Sequence, residues 1–154
     1  MGNKYRSILV PYDGSSYSKK SLTEAIEIAK KFNSDLYLLA VVDPTTVAPP
    51  SFYLKPGSAV GISRFGEYLN SAISKTDLLL RDQVIKCKDN DVTADYEVLA
   101  GSPASVILQF AKKRKIDLIV MGSQGLSGIK RIKAIGSISR KVSEQAACPV
   151  LLVR

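Results

Sequence analysis

The sequence predicts an α/β fold, an open twisted sheet of parallel strands with helices on both faces. Short apolar runs bounded by turn residues alternate with longer segments of helical periodicity along nearly the whole chain. The first two runs are continuous rather than apolar at every second position, which marks strands covered on both faces. Right-handed crossovers between parallel strands then place helices on both sides of one sheet. With 154 residues, 45% hydrophobic and 23% charged, the chain has globular proportions. The expectation is a single domain over residues 1–154.

Residues 6–12 form the first apolar run and end in the turn cluster Asp13, Gly14, Ser15 and Ser16. Over 18–32, Leu22, Ala25, Ile26 and Ala29 recur at helical spacing, and Asn33 and Ser34 supply the stop. A second continuous run, 36–42, completes a βαβ unit. Residues 43–61 carry Pro44, Pro49, Pro50, Pro56 and Gly57 and read as a loop longer than the usual connection. Leu69, Ala72, Ile73, Thr76, Leu80, Gln83, Val84 and Cys87 then trace one face of a long helix, closed by Asp89, Asn90 and Asp91.

Residues 94–99 read as a third strand, and 103–113 as a helix with Val106, Ile107, Phe110 and Ala111 inward. Residues 116–121 read as a fourth strand. Residues 136–146 form a last helix with Ile138, Val142 and Ala146 four apart, before a final strand, Pro149 to Val153. The count is five strands and four helices. Ser21 and Glu24 have capping-box spacing but lie inside a helical pattern, so they carry no weight.

Several chemistries are excluded. There is no histidine, so imidazole acid/base catalysis, histidine triads and most transition-metal sites are ruled out. The two cysteines, Cys87 and Cys148, have no CxxC spacing and read as buried, reduced packing residues. No run approaches the ~20 apolar residues of a membrane span, and Met1 to Arg6 does not lead into a signal-peptide pattern. The expected location is the cytoplasm, with no membrane partner.

The net charge of +8 is uneven: Lys112, Lys113, Arg114, Lys115, Lys130, Arg131, Lys133, Arg140 and Lys141 share one stretch whose only acids are Asp117 and Glu144. An anionic ligand is indicated there. The run 112–115 ends a helix, where the dipole and water both accommodate positive charge, so nucleic acid is not the expected partner.

Ligands of such sheets sit beyond the carboxyl ends of the strands, which directs attention to the loops after Tyr12, Val42, Leu99 and Met121. After the fourth strand, Gly122, Gly125 and Gly128 precede a basic loop, and Gly136, Ser137 and Ser139 follow it. Glycines let backbone N–H groups close on a phosphate, and a helix starting at Gly136 would aim its unpaired N–H groups at the same point. This is neither a Walker loop nor a GxGxxG fingerprint. On spacing alone, the glycines fit a tight loop with a helix cap equally well. Asp13 likewise reads either as a ligand contact or as an Asx turn or cap for the first helix.

The motifs together resemble the universal stress protein family over essentially the whole chain. They are the opening Ile8 to Ser15, the loop Gly122 to Gly128, the pair Gly136 and Ser137, and the closing Cys148 to Arg154. ATP-binding members of that family carry Gly-x-x-Gly, nine residues, then Gly-Ser/Thr. Here ten residues, Leu126 to Ile135, separate Gly125 from Gly136. A bulge in the loop would absorb the extra residue, whereas a shifted helix start would weaken phosphate binding. Gln124 stands where many relatives have histidine or arginine.

The resemblance implies a Rossmann-like, adenine nucleotide alpha hydrolase-like sheet of order 3-2-1-4-5. It implies that Pro11, Asp13 and Val41 border adenine and ribose, and that Gly122, Gly125, Gly136, Ser137 and Ser139 hold phosphates. The ligand would be ATP, with Mg²⁺ as a further possibility at Asp13. The function expected is that of a stress-response regulator in which nucleotide orders loops read by a protein partner, with a homodimer through Pro149 to Val153. The alternatives are a nucleotide-free interaction module and a weak Mg²⁺-dependent ATPase. Any turnover is expected to be slow, because neither a Walker lysine nor a general base stands out.

Overall fold

The architecture comes from a computed structural model, which describes residues 3–48, 59–126 and 134–154, and for 59–63 the backbone only. Five strands, β1 (Ser7–Pro11), β2 (Asp35–Val42), β3 (Ala94–Ala100), β4 (Leu118–Gly122) and β5 (Val150–Val153), pair in parallel in the order β3-β2-β1-β4-β5. Four helices connect them: α1 (Ser16–Phe32), α2 (Ala59–Asp89), α3 (Pro103–Lys113) and α4 (Ser137–Gln145). This is the α/β architecture that the sequence pattern predicts and the strand order that the family resemblance implies.

The continuous apolar runs follow from two cores. On one face, Ile8, Val10 and Tyr12 pack with Leu22, Ala25 and Ile26 of α1 and with Leu80 and Cys87 of α2. On the other, Leu9, Leu39, Ile119 and Met121 pack with Ile107 and Phe110 of α3 and Val142 of α4. The central strands β1 and β4 feed both cores, so every position of β4 is buried, whereas the edge strands β3 and β5 are only partly covered.

The helix starts differ from expectation in instructive ways. α1 begins at Ser16, two residues early, because the Ser15 hydroxyl accepts from the Ser18 N–H at 3.1 Å and caps the first turn. Ser21 is buried and donates to the Ser18 carbonyl, so the Ser21/Glu24 spacing caps nothing. α2 begins at Ala59, inside the segment expected to be loop, and absorbs Gly61 and Gly66. Its stability comes from packing of Leu80 and Cys87 on the sheet rather than from helix propensity at its start. Most of the remaining expected loop, 49–58, lies outside the described residues.

At α4 the apolar residues spaced by four do not share one buried face. Val142 is fully buried, but Ser139 turns inward and Ile138 is 41% exposed. A hydrogen bond explains this placement: the Ser139 hydroxyl donates to the Gly122 carbonyl at 2.8 Å. The serine therefore holds the first turn of α4 against the end of β4.

Part of the clustered positive charge is structural. Arg114, at the end of α3, stacks on the rings of Tyr37 and Phe110 and pairs with Glu97 on β3. At the amino ends of the central strands, one oxygen of Asp117 accepts from the Arg6 and Ser7 N–H groups and from the Ser7 hydroxyl. Cys87 is buried and its thiol is pushed up to about 11 by desolvation. Cys148 is half-buried rather than buried as expected, and burial raises its thiol too. Both are free thiols. Among the described residues no helix is long and apolar enough to cross a membrane.

Candidate functional site

The strand order creates a crevice. From β1 the chain steps outward to β2 and β3, then returns to the other side of β1 with β4, so the connections after β1 and β4 diverge. The ladder between these two strands is short. It pairs Ile8 with Leu118 and Leu9 with Ile119, whereas β1 and β2 pair along all of Ser7 to Pro11. A cleft of about 580 Å³ opens where the central ladder stops. Pro11, Asp13, Val41, Gly122, Gly125, Gly136, Ser137 and Ser139 all line it, so the fold brings together the eight residues singled out in the sequence. Its apolar floor includes Leu39, Ile107 and Met121.

Asp13 carries out the turn role considered for it and reaches across the cleft as well. One carboxylate oxygen accepts from the Ser15 N–H at 2.9 Å, an Asx turn that leads into α1. The other accepts from the Leu126 N–H at 3.2 Å, in the glycine loop after β4. The cap of α1 is Ser15, not Asp13.

The three glycines serve different purposes. A Cβ on Gly122 would lie 2.6 Å from the Tyr17 Cβ, so this glycine lets the first turn of α1 approach β4. A Cβ on Gly125 would lie 2.8 Å from the Asp13 carboxylate, so this one leaves room for the contact across the cleft. At Gly136 the nearest atoms would be 3.5 Å away, an ordinary distance, and the glycine is the N-cap of α4.

The ends of the long glycine loop are tied together. The Gly136 N–H donates to the Ser123 carbonyl at 2.8 Å, and the Gln124 amide donates to the Ala134 carbonyl at 2.7 Å. Gly136 therefore stands at the start of α4 despite the extra loop residue. The segment 127–133, with Lys130, Arg131 and Lys133, lies outside the described residues. α4 has no side-chain cap, which leaves its first N–H groups, beginning at Ser137, available at the cleft. The Ser139 hydroxyl proton is engaged with Gly122, so this side chain holds the cleft wall together. Asp13 is the one charged side chain among the described lining residues.

A model of the universal stress protein family matches residues 4–154. The chain belongs to this family. A universal stress protein of Methanocaldococcus jannaschii is 37% identical over 153 residues, which cover 99% of this chain and 84% of that one. The universal stress protein YxiE of Bacillus subtilis is 34% identical, with coverage of 97% and 99%. Among solved structures, UspA of Lactobacillus plantarum superposes with a TM-score of 0.82 at 28% identity, covering 97% of this chain and 98% of that one. A universal stress protein solved in complex with cAMP gives 0.68 at 22% identity, each chain covered to 97%. One from Archaeoglobus fulgidus, in complex with dAMP, gives 0.58 at 20%, covering 97% and 98%.

In this universal stress protein, sequence reasoning missed two contributors to the cleft. Tyr17 imposes the glycine at 122, and Gln124 closes the base of the loop. Nothing in the sequence around Gln124 points to the Ala134 carbonyl that it bonds.

Proposed function

We propose that this universal stress protein is an ATP-binding stress-response regulator in which the nucleotide orders the loops around the cleft and so presents a surface to a protein partner. The observation that carries this reading is the meeting of Asp13, the Gly125 loop and the bare start of α4 at the point where the sheet changes direction. Solved family members that hold cAMP and dAMP are in keeping with an adenine nucleotide. The residues present fit such a ligand. The apolar floor from Val41 to Ile107 suits a base, the Asp13 carboxylate accepts from ribose or adenine donors, and the N–H groups from Ser137 onward suit phosphate.

No group of three acidic or cysteine side chains gathers to hold a metal among the described residues. A Mg²⁺ here would combine Asp13 with phosphate and water oxygens. The chemistry supplied is recognition, since no Walker lysine or nucleophile–base pair lines the described part of the cleft. Equilibrium binding of labelled ATP is expected to saturate, and Gly136→Trp, which fills the cleft from the N-cap of α4, is expected to abolish it. No saturable binding, or binding indifferent to this change, overturns the reading.

A homodimer through β5 belongs to the same proposal. The strand is a sheet edge and Leu151 is 40% exposed on it, and an open apolar edge favours pairing with a second copy. Light scattering at micromolar concentration is expected to give twice the chain mass; a monomer argues against the pairing.

A further inference from the structure

The mouth of the cleft has a composition that phosphate recognition does not call for. Leu126, Ile135 and Ile138 line it and are 74%, 36% and 41% exposed, half of the six large hydrophobic side chains exposed among the described residues. Single exposed aliphatics are ordinary, but three gathered on one ligand-sized opening mark a contact surface. Their places in the chain are specific. Leu126 follows Gly125, Ile135 precedes Gly136, and Ile138 follows Ser137. The aliphatic side chains therefore interleave with the residues assigned to phosphate.

Ile138 is held outward because Ser139 is bonded inward to the Gly122 carbonyl, so its exposure is built into the fold. Three aliphatic side chains set beside the residues assigned to phosphate suit a phosphate that carries an apolar substituent.

We propose that the cleft receives an adenylate whose phosphate carries an aliphatic chain, as an ester or as an acyl anhydride, with the chain lying against Leu126, Ile135 and Ile138. Acyl adenylates, formed when ATP activates a carboxylate, belong to this class. The inference rests on the adenine-nucleotide reading and extends it to the far side of the phosphate.

The probes are adenosine 5′-(methyl phosphate) and adenosine 5′-(hexyl phosphate), which carry the same charge, in competition with labelled ATP. Each fully buried methylene tightens binding about fourfold. Covering two of the five additional ones gives the hexyl ester an advantage on the order of tenfold. In the double variant Ile135→Ser/Ile138→Ser the ratio of the two affinities is expected to fall towards one. Equal affinities in the unmodified protein overturn the inference while leaving the nucleotide site standing, provided labelled ATP binds. An advantage that persists unchanged in the double variant also overturns it, since the chain then lies elsewhere. If labelled ATP does not bind and neither ester is taken up in direct binding, the nucleotide reading itself falls.

Discussion

Gly122→Ala is expected to lower the melting temperature of this protein by several degrees without changing its fold. The methyl group would sit 2.6 Å from the Tyr17 Cβ and 3.0 Å from its carbonyl carbon, and neither atom is the end of a flexible side chain. Tyr17 belongs to the first turn of α1, which the Ser15 cap and the Asx turn at Asp13 hold in place. Relief therefore requires α1 to move off the sheet as a body. Forcing one extra methyl into a packed interior costs about 1–3 kcal/mol, and a chain of this size loses roughly 2–4 °C per kcal/mol. Gly136→Ala is the comparison: its methyl meets nothing nearer than 3.5 Å, and its smaller effect reports only the cap. Calorimetry on the two variants decides the matter, and a Gly122→Ala protein as stable as the parent would show that α1 is not seated on β4 at this point.

Asp13→Ala is expected to weaken ATP binding by roughly ten- to a hundredfold, since hydrogen bonds to a charged group are worth about 1.5–3 kcal/mol. The side chain has two tasks, and a second variant separates them. Asn at this position keeps an acceptor for the Ser15 N–H, so the turn into α1 survives, but it removes the charge from the cleft. Loss of affinity in both variants, with stability lost only in the alanine, assigns the carboxylate to the ligand. Full affinity in Asp13→Asn would reduce Asp13 to a turn residue. Titration calorimetry with parallel melting curves supplies both readouts.

The layering of the fold was legible because the centre of β1, Ile8 to Val10, and all of β4 are continuously apolar, as suits a strand covered on both faces. The place of the site was legible for a related reason: strand-end turns rich in Gly, Ser and Asp stand out against such runs. What could not be read depends on pairs distant in sequence. Glycine at 122 is set by Tyr17, more than a hundred positions away, and the tie between Gly125 and Asp13 is of the same kind. The buried face of α4 is not readable from the spacing of Ile138, Val142 and Ala146, because nothing local shows that Ser139 finds a backbone carbonyl to bond. The early start of α2 was hidden because 43–61, with Pro44, Pro49, Pro50, Pro56 and Gly57, reads locally as loop.

The uneven ladder between β1 and β4 makes the centre of the sheet resemble a pair of shears. Asp117 is the rivet, gathering the amino ends of both blades through three donors on Arg6 and Ser7. Among the described residues the blades share no backbone pairing beyond Leu9 and Ile119, and the Asp13 contact to Leu126 bridges their tips. A guest entering between the tips would meet that contact before any sheet hydrogen bond. Room for an occupant thus lies where the ladder has already ended, above the two cores rather than within them.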